Sequence, residues 1–182
     1  MKVNHKRVIL GVTGSIAAYK APDIVRHLMR QDYLVSVIMT ETAVRFISPL
    51  TLASVSRQNV HRDMFDEKQK DWRTDHVSLA QEAAAVVIAP ATADVIGRIA
   101  CGLADDLLTC TVMATRAPVF IAPAMNEGMY RNPIVQENIR KLKKLGIRFI
   151  GPEKGPLACG SEGEGRMTDP QKIAKEIKRF LK

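Results

Sequence analysis

Short apolar runs recur along this chain with helical periodicity between them, and that rhythm restricts the fold more than any other feature. Arg7-Val-Ile-Leu-Gly-Val12, Leu34-Val-Ser-Val-Ile-Met39, Ala85-Val-Val-Ile-Ala-Pro90 and Pro118-Val-Phe-Ile-Ala-Pro123 are of strand length and rich in β-branched residues, and Ile147-Arg-Phe-Ile150 is a shorter run of the same kind. Continuous apolar runs suit strands covered on both faces, as in a parallel sheet. After the first run, Ile24, Val25, Leu28 and Met29 fall at helical spacing. Asn132-Pro133 supplies an N-cap and a first-turn proline for a helix ending at Gly146, and Asp169-Pro170 does the same for the last helix. Strands alternating with helices predict an α/β fold built on a doubly wound parallel sheet. A chain of 182 residues, 46% of them hydrophobic, matches one domain with a substantial core, so residues 1–182 are expected to form a single domain.

The stretch from Gly151 to Thr168 breaks the rhythm. It holds five glycines and two prolines and shows neither helix nor strand period, so it is expected to be a long flexible loop of functional rather than structural purpose. The net charge of +8 is concentrated downstream, where residues 140–182 carry 12 Lys and Arg against five Asp and Glu. Two basic surface helices explain that bias, and the 5% aromatic content and lack of recognition motifs argue against a nucleic-acid partner. No apolar run approaches the roughly 20 residues of a membrane span, so no membrane partner is expected. Cys101, Cys110 and Cys159 form no C-x-x-C pair and lie in no secretory context, which reads as reduced thiols in the cytoplasm and predicts no metal site.

Ligands of open parallel sheets sit at the carboxyl ends of the strands. Gly11-Val-Thr-Gly-Ser-Ile-Ala17 follows the first strand and can wrap backbone N–H groups around an anion, but it lacks the Gly-Lys-Ser/Thr of a P-loop and the glycine spacing of a dinucleotide fold. After the second strand, Thr40-Glu41-Thr42 sets two hydroxyls around one acid. A ribose diol would use Glu41; a monophosphate would use the hydroxyls. The favoured reading is a mononucleotide held by Gly14, Ser15, Ile16, Thr40 and Thr42, although Ser15 and Thr40 also suit plain helix caps. Pro90-Ala-Thr-Ala-Asp-Val95, with Thr92, Ala93, Asp94 and Val95, is a second small-residue turn able to approach a flat ring closely. Asp94 also suits an N-cap, and Asp105-Asp106 before Leu107 reads as a helix start rather than a catalytic pair.

Three further polar residues come from separate places: His76 in Thr74-Asp-His-Val-Ser78, Asn126 after a strand, and Cys159 in the glycine-rich stretch. Singly, each has an ordinary explanation as a structural histidine, a turn residue and a small buried thiol. Together, their settings resemble the homo-oligomeric flavin-containing cysteine decarboxylases from Gly11 to Pro170. The segments that carry the resemblance, in order, are Gly11-Val-Thr-Gly-Ser-Ile-Ala-Ala-Tyr-Lys20, His76-Val-Ser-Leu-Ala80, Ile88-Ala-Pro-Ala-Thr-Ala-Asp94, Gly102-Leu-Ala-Asp-Asp-Leu-Leu108, Pro123-Ala-Met-Asn-Glu-Gly-Met-Tyr130 and Leu157-Ala-Cys-Gly160. The family's P-x-M-N-x-x-M-W segment ends here in Tyr130 instead of Trp.

This resemblance implies a Rossmann-like flavoprotein with FMN as cofactor, Met125 beside the flavin, and Asn126 holding the substrate carboxylate. It implies that His76 acts as base or orients the reacting thiol, that Cys159 protonates an enethiol, and that Met129, Leu157 and Ala158 contact substrate. The chemistry needs an electron sink, because the electrons of a simple amino-acid carboxylate otherwise have nowhere to go when carbon dioxide leaves. Oxidised flavin creates one by converting the cysteine side chain to a thioaldehyde. The Ala158-Cys159-Gly160 segment favours the coenzyme A branch, acting on 4'-phosphopantothenoylcysteine, a small molecule with a carboxylate and a phosphate. The alternatives are a peptidyl-cysteine decarboxylase of the same family or a non-catalytic flavin-binding regulatory subunit. The resemblance also implies self-association as a trimer or a dodecamer, with sites between subunits, and makes residues 151–168 a substrate clamp.

Overall fold

The computed structural model describes residues 6–64, 75–156, 160 and 162–182. In chain order its strands and helices are β1 (Arg7–Val12), α1 (Ala21–Met29), β2 (Leu34–Met39), α2 (Pro49–Ser56), β3 (Val60–His61), α3 (Asp75–Glu82), β4 (Ala83–Ala91), α4 (Ala93–Cys101), α5 (Leu107–Ala114), β5 (Val119–Pro123), α6 (Glu127–Arg131), α7 (Pro133–Lys144), β6 (Arg148–Phe149), β7 (Glu153–Pro156), β8 (Glu162–Arg166) and α8 (Pro170–Leu181). Short 3-10 helices cover Ile16–Lys20 and Ala43–Arg45.

The first six strands form one sheet in the order β3-β2-β1-β4-β5-β6, with every pairing parallel. This is the doubly wound order, in which the chain reverses direction across the sheet between β1 and β4 and opens a crevice at their carboxyl ends. Period-two alternation divides the apolar side chains between the faces. Val8, Leu10 and Val12 join Val35, Val37, Val87 and Phe120 beneath α1 and α8, where Ile24, Leu28, Ile173 and Ile177 are fully buried. Ile9 joins Ile38, Val86, Ile88 and Ile121 on the opposite face, beneath α4, α5 and α7. Each such side chain, taken from water, contributes roughly 1.5–3 kcal/mol, and burial on both faces explains why the strand sequences are continuously apolar.

The caps follow the sequence. Asn132 Oδ1 and Asp169 Oδ1 each accept the second helical N–H of α7 and α8 at 2.9 Å, ahead of Pro133 and Pro170. Asp106 begins α5 with a capping box, accepting from Thr109 N–H at 2.7 Å. Such caps are each worth about 1 kcal/mol.

The region 151–168 differs from expectation. Rather than a stretch without strand structure, it contains β7 and β8 paired antiparallel outside the main sheet, with Gly155 opposite Gly163. Gly155, Gly163 and Gly165 face inward while Glu162, Glu164 and Arg166 face outward. The alternation is real, but its buried members are glycines, which carry no hydropathy signal.

Candidate active site

The carboxyl ends of β1, β2, β4 and β5 bring the expected polar residues to one edge. Thr13, buried at the end of β1, donates its hydroxyl to Pro90 O at 2.8 Å and accepts from Thr92 N–H at 3.1 Å, tying the two central turns together. Beside it, Thr40 N–H donates to Val12 O at 3.1 Å, and the Thr40 and Thr42 hydroxyls lie 3.1 Å apart. A Cβ at Gly14 would overlap the Thr42 side chain, so glycine lets the first turn and the second hydroxyl touch. The ordinary explanations also hold: Ser15 Oγ accepts from Ala17 N–H and Thr40 Oγ1 from Ala43 N–H, both at 3.3 Å. A hydroxyl oxygen has two acceptor sites and still carries its own proton, so capping leaves each group able to donate.

Two cavities open along this edge. One, of about 860 Å³, is lined by Thr13, Thr40, Thr42, Thr92, Asp94, Val95 and Arg98 among others. The second, of about 590 Å³, is lined by Ser15, Ile16, Lys20, Met125, Asn126 and Arg166 among others. Thr92 rather than Asp94 caps α4, accepting from Val95 N–H at 3.3 Å. Asp94 instead pairs with Arg98 at 3.4 Å, and Arg98 also reaches Asp105 at 2.6 Å and Asp106 at 3.2 Å. The sequence reading passed over Arg98, although its spacing of four from Asp94 is that of a helical ion pair. The same acids act on Cys110: burial first, then Asp106 and Asp105, push its thiol above the usual range.

Asn126 is the N-cap of α6, and its Oδ1 accepts Gly128 N–H at 2.8 Å, which fixes the amide plane. On one side, Met125 N–H donates to Gly165 O at 3.0 Å; on the other, Glu127 Oε1 accepts Glu164 N–H at 3.3 Å while pairing with Arg131 at 2.9 Å. The Asn126 turn is thus bracketed by β8. A Cβ at Gly165 would run into the Met125 carbonyl, and one at Gly163 into the Glu127 carboxylate, so only bare backbone fits there. Nothing in the sequence pattern announced this contact, apart from the alternating glycines themselves.

Other expected residues lie apart. Ala93 opens α4 and Met129 sits exposed on α6; neither lines either cavity. His76 stands in the first turn of α3, which packs on α5 and runs straight into β4. It lines neither cavity, and among the described residues its buried Nδ1 has no hydrogen-bond partner. Leu157, Ala158 and Cys159 lie outside the described residues.

A family model described as Flavoprotein matches residues 1–182. The chain belongs to the flavoprotein family. This flavoprotein is 43% identical over 181 residues to the coenzyme A biosynthesis bifunctional protein CoaBC of Haemophilus influenzae, covering 100% of the chain but 45% of that relative. The chain therefore spans less than half the length of the curated relative. Among solved structures, it resembles a cysteine-to-serine mutant of PPC decarboxylase complexed with pantothenoylaminoethenethiol, with a TM-score of 0.87 and 34% identity over 97% of this chain and 98% of that one. It also resembles the FMN-binding protein AtHal3, with a TM-score of 0.83 and 34% identity over 97% of both chains.

Proposed function

We propose that this flavoprotein is an FMN-dependent decarboxylase acting on the cysteine end of 4'-phosphopantothenoylcysteine, giving 4'-phosphopantetheine in coenzyme A biosynthesis. The observation that carries this reading is the Asn126 turn, a side-chain amide fixed by Gly128 N–H and bracketed by β8, on the sheet edge that also bears the hydroxyl cradle. The likeness to the PPC decarboxylase along nearly the whole chain supports it.

The cradle fits FMN in its donor set: Ser15, Thr40 and Thr42 offer neutral hydroxyls beside the Gly14 turn, and Thr92, Ala93, Asp94 and Val95 form the small-residue turn for the ring, with Met125 beyond it. When bound, the flavin supplies a two-electron sink that draws on the cysteine side chain before carbon dioxide leaves and returns the same electrons afterwards. Asn126 holds the departing carboxylate through its amide, so that the breaking bond keeps one orientation. His76 takes the thiol proton as base or orients the reacting thiol. Cys159 returns a proton to the product carbon, Leu157 and Ala158 contact the substrate, and Met129, outside both cavities of one chain, contacts it once a second copy completes the site.

Because His76 stands outside both cavities of one chain, we assign completion of the site to a second copy, in a trimer or dodecamer. Ile16 (56% exposed) and Tyr19 (62%) offer apolar surface beside the crevice for that contact. In this reading residues 1–182 work as one domain whose 151–168 segment grips the substrate. A cytoplasmic setting accords with the free thiols of Cys101 and Cys110, and no helix among the described residues is long and apolar enough to cross a membrane.

The test is incubation of FMN-loaded protein with 4'-phosphopantothenoylcysteine, followed by carbon dioxide release and product mass. The expected product is the saturated thiol, lighter than the substrate by the mass of one carbon dioxide. No carbon dioxide from a fully loaded protein sinks the reading.

A further inference from the structure

We propose that Lys20 and Arg166 form the subsite for the substrate's phosphate, in the same cavity that Asn126 lines. This deepens the decarboxylase reading and rests on it. A substrate with a carboxylate at one end and a phosphate dianion at the other needs a second anion-binding group beyond Asn126. That group also separates it from a peptide with a C-terminal cysteine, which offers the carboxylate alone.

The 590 Å³ cavity is built for anions. Its lining contains Lys20, Arg166 and the Asn126 amide, and no aspartate or glutamate. The neighbouring cavity mixes Glu41, Asp63, Asp94, Asp105 and Asp106 with Arg45, Arg62 and Arg98. Of the nearby cations, Arg98 meets three carboxylates and Arg131 meets two, which leaves neither of them to a ligand. Among the described residues, neither Lys20 nor Arg166 makes an ion pair. Lys20 Nζ lies only over its own neighbour, 5.8 Å from the centre of the Tyr19 ring.

The two cations come from separate elements, which argues for a formed subsite rather than a run of surface charge. Lys20 ends the 3-10 helix that follows the β1 turn. Arg166 ends β8, directly after Gly165, whose carbonyl accepts the Met125 N–H at 3.0 Å. Its backbone is therefore in fixed register with the Asn126 turn. Its side chain lies across Gly155 of β7, where a Cβ would come within 3.0 Å of Nη1. Glycine at that position leaves room for the guanidinium against the hairpin, at the rim of the cavity that Arg166 lines. Guanidinium and ammonium groups together suit a phosphate, one as a planar fork and the other as a point charge.

The test compares 4'-phosphopantothenoylcysteine with pantothenoylcysteine on FMN-loaded protein, taking the ratio of the two kcat/KM values within each variant so that general damage cancels. The unaltered protein is expected to prefer the phosphorylated substrate, and Arg166→Gln and Lys20→Gln are each expected to cut the ratio by roughly tenfold to a hundredfold, the worth of a hydrogen bond to a charged group. A ratio unmoved in both variants, or no preference in the unaltered protein, overturns the subsite and leaves the decarboxylase reading standing. Carbon dioxide from neither substrate overturns that reading and the subsite with it. Loss of flavin absorbance from the purified variants would assign the pair to the cofactor instead, overturning the proposal.

Discussion

Thr13 and Ser15 are two residues apart, yet they line different cavities, and the walls of the two differ in how their charges are used. Around the larger one, Asp94, Asp105 and Asp106 converge on Arg98, Glu41, Arg45, Arg62 and Asp63 add charges of both signs, and the hydroxyls of Thr40 and Thr42 line the same space. Around the smaller one there is no acid, and Lys20 and Arg166 stand with the Asn126 amide. Charge that is internally matched builds a wall; charge without a partner in the fold is available to a ligand. In the proposed reading the larger cavity offers hydroxyl donors to the cofactor and the smaller, acid-free one offers cations to the substrate, with Ser15, Ile16 and Met125 of the cofactor site also lining the smaller.

The largest effect is expected where the substrate cavity is inverted. Asn126→Asp places a carboxylate against a carboxylate, and kcat/KM should fall by roughly a hundredfold to a thousandfold, the cost of losing a preorganised donor. Flavin absorbance should persist; its loss would mean that the two cavities are not separate in function. Next, Gly14→Ala drives a methyl into the Thr42 hydroxyl on the cofactor side. Overpacking costs roughly 1–3 kcal/mol, so flavin affinity measured by fluorescence titration should drop about tenfold or more. An unchanged affinity would remove Gly14 and Thr42 from the cradle.

A smaller change is expected from Arg98→Ala, which leaves three carboxylates facing one another. All four groups are partly exposed, so the loss should be limited to roughly 1–2 kcal/mol, or about 2–8 °C in Tm. Added salt and the second change Asp105→Asn should each recover part of it. If salt makes no difference, the network is not holding the wall by charge. The smallest effect concerns Cys110, whose thiol donates to Ala104 O at 3.0 Å and is pushed up by burial and then by Asp106 and Asp105. A raised thiol has less thiolate at a given pH, so iodoacetamide near pH 7.5 should label exposed Cys101 before Cys110, with the gap closing as pH rises. Peptide mass mapping over time reads the order directly.

The main sheet was legible because its signal is local. Runs such as Arg7–Val12 and Leu34–Met39 are apolar through their whole length, and the observed strands share those bounds. The caps at Asp106, Asn132 and Asp169 were legible for the same reason, since each rests on side chain and backbone two or three residues apart. The hairpin was not, because its inward positions are Gly155, Gly163 and Gly165, residues that mark turns in most settings and here mark a face pressed against another backbone. The contacts of β8 with Met125 and Glu127 join residues far apart in sequence, and on the β8 side they use only main-chain atoms, which any residue possesses. In the same way Arg98 was invisible as a hub, since Asp105 and Asp106 reach it only once Gly102 has turned the chain back with φ 72°.

The Thr13 hydroxyl, donating to Pro90 O and accepting from Thr92 N–H, acts as a spacer bar between β1 and β4. The width of the crevice is therefore set by the protein's own bonds rather than by whatever enters it. A receptor whose jaws are already at their working distance gives up little conformational freedom on capture, so less of the contact energy is lost to ordering the site. A valine at position 13, equal in shape but unable to bond, would leave that width for each ligand to set for itself.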